Sequence, residues 1–287
     1  MNLGRIGIWS RELRFCDPAE TAEAAAELEQ LGFGTLWIPD IGGPVFEAVE
    51  RLLAAAERVV IATGILNVWM HEADDVAAAQ DSIEVRHPGR FLLGLGIGHA
   101  PIVDEGNPGR YRRPLSTMRE YLDALDAAST AGERPPRVLA ALAPRMLALA
   151  AERANGAHPY LVPTSHTELV REALGPDAIV AQELTVVPGA DVTHCRSLAR
   201  ADLRGYLALP NYTNTWRRLG FTDDDLAGGS DRLIDALYAL GSLDAIAGRI
   251  AEYHAAGADH VCIRTVVEGP ERILLPEWRE LGALVSS

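Results

Sequence analysis

Short runs rich in Val, Ile and Leu alternate with longer Ala/Leu/Glu stretches along the whole chain, and few folds accommodate that pattern. Strands are predicted over 4–9, 35–39, 59–66, 90–95, 137–142, 157–162, 178–187 and 260–265. Helices are predicted between them. Asp17-Pro18-Ala19-Glu20 supplies an N-cap, a proline at the first helical position and an acid three residues on, and Gly32 ends that helix. Further helices read over 46–58, 114–129, 144–154, 243–256 and 272–285, and Ser165-His166-Thr167-Glu168 reads as a capping box for another. The run over 59–66 is continuously apolar, as in a strand covered on both faces. Eight strand–helix units without a linker-like break predict one closed (β/α)8 TIM barrel over 1–287, in preference to an open doubly wound sheet. The one irregularity is a helical insertion over about 191–240, punctuated by Gly220, Gly228 and Gly229.

Composition narrows the chemistry. A chain of 287 residues buries about three quarters of its unfolded surface, so it needs no disulfide or metal for stability. All 26 basic residues are arginine. Without lysine there is no Schiff-base aldolase, no pyridoxal enzyme and no Walker phosphate loop. A net charge of -14 argues against a nucleic-acid partner, although it leaves room for a small anionic cofactor held by backbone amides. Cys16, Cys195 and Cys262 form no CxxC pair, and the histidines show no HxH or HExxH spacing, so no metal site is expected. No apolar run approaches the roughly 20 residues of a membrane span. The amino terminus lacks a signal peptide's core, so a cytoplasmic location is expected.

A barrel of this kind works at the carboxyl ends of its strands. Those ends read Trp37-Ile38-Pro39-Asp40, Thr63-Gly64-Ile65-Leu66-Asn67-Val68-Trp69, Gly94 to Pro101, and Ala140-Ala141-Leu142-Ala143-Pro144. The Gly94–Ala100 stretch is not a dinucleotide fingerprint. His99 stands at its third glycine position, and no helix follows at once. Its alternating glycines fit either a backbone kept bare for a flat ligand or simple barrel packing. Ala140 to Pro144 opens a helix whose first amides are free to meet an anion.

These segments resemble the luciferase-like monooxygenase superfamily, in particular its actinobacterial branch of F420-dependent oxidoreductases. The resemblance covers nearly the whole chain. It rests on Gly89-Arg90-Phe91-Leu92-Leu93-Gly94-Leu95-Gly96, Arg137-Val138-Leu139-Ala140-Ala141-Leu142, Leu209-Pro210-Asn211-Tyr212, Arg218-Leu219-Gly220-Phe221, Gly229-Ser230-Asp231-Arg232-Leu233 and Ala256-Gly257-Ala258-Asp259-His260-Val261. It implies F420, a deazaflavin, as cofactor, with FMN as the alternative. A non-prolyl cis peptide at Gly64-Ile65 would back the ring. Asn67 and the amides of Gly98, His99 and Ala100 would line it, and the amides of Leu142 and Ala143 would meet its phosphate. Relatives imply a homodimer. The family's sugar-phosphate dehydrogenases carry a glutamate where His99 stands, a histidine where Ile41 stands, and phosphate-binding lysines that this chain lacks, so a sugar phosphate is not the expected substrate.

The implied reaction is hydride transfer at the cofactor's C5 to or from a small organic molecule. His99 and Asp40 are the candidate proton carriers, each with a structural alternative: His99 as a local hydrogen-bonding or cofactor contact, Asp40 as an anchor for the ring edge and its loop. Trp9 and Trp69 are candidate substrate-pocket walls or ordinary packing. Glu183 is either buried and paired or faces the pocket. The competing functions are an FMN-dependent monooxygenase and a barrel that binds flavin or F420 without turnover.

Overall fold

The computed structural model describes residues 1–130, 134–269 and 271–285. Strand β1 (Ile6–Trp9) leads through α1 (Glu12–Phe15) to α2 (Pro18–Gln30), and β2 (Thr35–Ile38) leads to α3 (Val45–Ala55). Next come β3 (Val60–Thr63), β4 (Leu66–Asn67) and α4 (Ala73–Arg86), then β5 (Phe91–Gly96), α5 (Ala100–Val103) and α6 (Pro114–Ala128). The chain continues with β6 (Arg137–Leu139), α7 (Pro144–Arg153), β7 (Gly156–Ala157) and α8 (Thr164–Leu174). Strand β8 (Ile179–Pro188) is followed by α9 (Val192–Leu203), a 3-10 turn (Tyr206–Ala208), α10 (Pro210–Arg218), α11 (Asp223–Leu226) and α12 (Asp231–Leu237). Last are β9 (Tyr238–Gly241), α13 (Leu243–Ala255), β10 (His260–Thr265) and α14 (Leu275–Gly282).

Parallel pairing runs β10-β1-β2-β3-β5-β6-β7-β8 and returns from β8 to β10 over His260↔Ala181 to Thr265↔Val186. Eight strands therefore close into the predicted barrel. Strands β2, β3 and β5 are buried at every residue, which is what their uninterrupted apolar sequences require. The helices turn apolar stripes onto them. In α3 the stripe is Val45, Ala48, Val49, Leu52 and Leu53. The predicted cap of α2 is present, with Asp17 accepting from the amides of Ala19 at 2.8 Å and Glu20 at 3.2 Å.

Four local readings need correction. The predicted strand over 59–66 breaks after Thr63 and resumes beside β5 at Leu66↔Leu95. The predicted strand over 157–162 ends at Ala157: Pro159 and Pro163 offer no amide to a ladder, and Leu161 is left-handed at φ 48°. The helix after it starts at Thr164 behind Pro163, so Ser165 lies inside the first turn and no side chain caps it. The stretch read as a helical insertion also ends in a strand. Strand β9 pairs with the last residues of β8, Thr185↔Tyr238 to Pro188↔Gly241. It covers the flank of β8 that β7 leaves open after Val180.

The barrel interior is filled at its floor by Trp37, Val60, Ala62, Leu92, Val138, Ala181 and Cys262. Two histidines sit among them. The Trp37 indole stacks on His158 at 4.3 Å and donates through Nε1 to Nε2 of His260 at 3.1 Å. His260 Nδ1 donates to Gly4 O at 2.8 Å, and His158 Nδ1 to Ala181 O at 2.8 Å. Burial in this apolar layer pushes His158 down to about 3 and His260 down to about 4. Both rings are neutral in the folded chain at pH 7, while an unfolded histidine titrates near 6.5. A depressed folded value means that stability is present above about 6.5 and lost as pH falls toward 4. The urea midpoint is therefore expected to drop between pH 6.5 and 4.5. His260→Gln should show a shallower drop over that range whatever its midpoint at pH 7.

Candidate active site

The strand ends assemble a rim around Gly64. The peptide between Gly64 and Ile65 is cis, where the sequence reading placed it. Trp9 Nε1 donates to the Gly64 carbonyl at 2.7 Å, and a Cβ on Gly64 would lie 2.6 Å from that nitrogen. Trp9 is thus seated against Gly64 by a specific hydrogen bond. The Ile65 side chain turns onto β5, where a Cβ on Gly94 would sit 2.6 Å from its Cδ1 and one on Gly96 2.6 Å from its Cγ2. At these two positions the bare backbone admits Ile65 rather than a ligand, which decides for packing between the two readings of the glycine run. Gly98 differs. It is left-handed at φ +67°, and a Cβ there would press on Val103 and Asn67.

Asp40, at the end of β2, is 6% exposed. Its Oδ2 accepts from the Asn67 amide at 3.1 Å and lies 2.8 Å from His71 Nε2, while Oδ1 is buried without a partner among the described residues. The carboxylate thereby ties the end of β2 to the segment after Gly64. His71 was not foreseen, because nothing marks a residue of a different loop as Asp40's partner. Asn67 Oδ1 in turn accepts from the Trp69 amide at 3.1 Å. Trp69 is pinned by its indole Nε1 to Ile97 O at 2.7 Å and leans on Tyr111, with ring centres 6.1 Å apart. The two predicted pocket tryptophans are therefore half-buried side chains, each holding the backbone of a neighbouring strand end.

His99 starts α5 with its Nδ1 buried and unpartnered among the described residues. Burial holds its pKa below the ordinary histidine value, so the ring is neutral at pH 7. It stands 5.2 Å from the Tyr212 ring of α10, and Asn211 Nδ2 donates to Gly98 O at 3.2 Å. Among the described residues the amides of Gly98, His99 and Ala100 donate to no acceptor, and neither do those of Leu142 and Ala143. Two runs of free amide donors thus stand at the ends of β5 and β6, the second at the amino terminus of α7.

On the far wall, β8 and β10 place Glu183 and Arg264 in the interior. The Glu183 side chain is fully buried: Oε1 accepts from Thr185 Oγ1 at 3.0 Å and lies 3.6 Å from Arg264 Nε, and Oε2 has no partner among the described residues. Arg264 is already committed by both terminal nitrogens to Asp202 of α9, which also accepts from Tyr238 at 2.8 Å. Tyr160 and Tyr206 close over the pair with hydroxyls 2.6 Å apart. Two carboxylates sharing one guanidinium away from water favour a protonated member. Burial, opposed by Arg264, pushes Glu183 up to about 8. A charge inside an otherwise apolar strand, as in His260–Thr265, was the available signal for Arg264; Asp202 and Tyr206, in the insertion, gave none.

The chain belongs to the luciferase-like monooxygenase family, whose model matches residues 5–260. It is 23% identical over 354 residues to a Mycobacterium tuberculosis protein provisionally named coenzyme F420-dependent oxidoreductase Rv3520c, the match covering 99% of both chains. Among solved structures it is similar to the coenzyme F420-dependent tetrahydromethanopterin reductase of Methanopyrus kandleri, with TM-score 0.74 and 15% identity over 98% of this chain and 97% of that one. It is also similar to the oxygenating constituent of 3,6-diketocamphane monooxygenase of Pseudomonas putida, solved with FMN, with TM-score 0.69 and 15% identity over 99% and 97% of the two chains. The two structures share its fold.

A raised carboxyl has a signature in stability. Glu183 titrates near 8 in the fold and near 4.3 in an unfolded chain, so its contribution is complete below about 4 and is lost as pH rises to 8. Thermal melts between pH 5 and 8 should show wild type losing ground to Glu183→Gln as pH rises. Parallel profiles would mean that the carboxyl is ionised throughout.

Proposed function

We propose that this protein is an F420-dependent oxidoreductase that moves a hydride between the deazaflavin C5 and a small organic substrate. The reading rests above all on the two runs of unpartnered amides, at 98–100 and 142–143, flanking a rim built on Gly64, Ile65 and Asn67. Donors of this kind bind an anionic, flat cofactor without any lysine. The names of the M. tuberculosis relative and the M. kandleri structure point to the same coenzyme. When bound, the coenzyme supplies the hydride chemistry, and the chain has to hold, orient and keep water away.

In this reading Gly64 and Ile65 back the ring, and Asn67 with the amides of Gly98, His99 and Ala100 borders it. The amides of Leu142 and Ala143 receive the phosphate. Asp40 acts as the positioning residue that holds Asn67 through its backbone, since its Oδ2 is taken up by Asn67 and His71. His99 carries the proton: its ring is neutral, and its Nδ1 has no partner to displace. Trp9 and Trp69 wall the substrate space. Residues 1–287 act as one barrel domain, and the segment over 191–240 lays its tyrosines across the mouth.

FMN is the competing cofactor, because an FMN-containing structure shares the fold. Titrating the protein with F420 and with FMN separates the two by affinity. Tight F420 binding with weak FMN binding is expected, and the reverse order overturns the reading. His99→Asn should lower kcat by about 10²–10⁴-fold with F420 affinity unchanged. Bound F420 that is never oxidised or reduced by any substrate tried would make the chain a carrier rather than an enzyme.

A further inference from the structure

A cavity of about 570 Å³ lies outside the barrel between α7, α8 and α10, and its lining includes Leu142, the first residue of the second run of free amides. Leu147 and Ala148 of α7 and Leu169 of α8 form its apolar wall, and Leu169 is half exposed there. Two basic side chains line it as well. His166 is 3% exposed, and its Nε2 lies 3.0 Å from Leu142 O. A carbonyl only accepts, so Nε2 carries the hydrogen and Nδ1 of the neutral ring is a bare acceptor. That Nδ1 is buried without a partner among the described residues, a costly state for a polar atom. Arg218 donates to Thr215 Oγ1 at 2.7 Å, and no carboxylate pairs with it among the described residues. Burial, and after it the charge of Arg218, hold the His166 ring below its ordinary pKa.

We propose that this cavity is a second anion subsite, in which Arg218 and His166 take a carboxylate of the acidic side chain that F420 carries beyond its phosphate. The inference rests on the F420 reading and extends it outward from Leu142. A carboxylate pairs with Arg218 directly. Arriving beside His166, it also offsets the arginine charge, and a proton taken up at Nδ1 turns that orphaned acceptor into a second donor. The other charged group on this cavity is Glu172 of α8; α7 contributes only Pro144, Leu147 and Ala148. Proton uptake on binding means that affinity rises as pH falls through the histidine range.

The test compares F420 bearing several glutamates with the form that keeps the phosphate and lacks glutamate, each titrated into the full chain at pH 6 and pH 8. Wild type should bind the glutamylated form about tenfold more tightly at pH 6, the scale of one charge-assisted hydrogen bond, and by less at pH 8. Arg218→Gln should abolish the preference and leave the short form unaffected. His166→Asn should remove its pH dependence. Equal binding of both forms by wild type, or a preference that survives Arg218→Gln, overturns this inference while the F420 reading stands. Failure of wild type to bind either form ends both.

Discussion

The placement of Ile65 against β5 organises the rim. With Thr63 carbonyl oxygen 2.1 Å from where a Gly94 Cβ would be, β3 and β5 approach more closely than any side chain permits. Thr63 Oγ1 exploits this closeness, accepting from Gly94 N at 2.8 Å and donating to Gly94 O at 2.9 Å. The chain after Gly64 is then free to cross over and restart beside β5 as β4, which carries Asn67 to the Asp40 carboxylate. Glycine therefore acts here through what it lets the neighbouring strand do.

The opposite wall is organised by charge. Arg264 rises from β10 and is gripped by Asp202 of the insertion, so the barrel and the segment across its mouth are joined by one guanidinium with both partners mostly buried. Burial makes such a pair costly to break once formed, although it is a weak source of net stability. Its value here is geometric. Tyr206 follows Asp202 by one helical turn and reaches Tyr160, so the ion pair also sets the aromatic surface over Glu183. The floor below is uncharged, because burial keeps both histidines neutral.

The barrel was legible because its signal is periodic and repeated: eight apolar runs with helices between them survive errors of several residues at each end. The positions of Asp40, Gly64, Asn67, His99 and Leu142 at the rim were legible for the same reason, since a strand's carboxyl end follows once the strand is known. What failed was local. Pro159, Pro163 and the left-handed Leu161 ended a strand that residue preference extended to 162, and Tyr238–Gly241 became a strand only because β8 had an open flank. Partners far apart in sequence stayed hidden as well. His71 with Asp40, and Arg218 with His166, meet through the fold and share no spacing.

Strand β9 has a further consequence. The Gly189 amide donates to Gly241 O at 3.0 Å, so the excursion of roughly fifty residues leaves β8 and comes back to the same spot. Its ends are clasped together independently of anything between them. Closing a longer or shorter segment across such a clasp changes the entropy only slowly with length. The barrel can thus tolerate changes in the length and sequence of what overhangs its mouth as long as a carboxylate like that of Asp202 still meets Arg264, and selectivity for different molecules can evolve there without disturbing the ring of strands beneath.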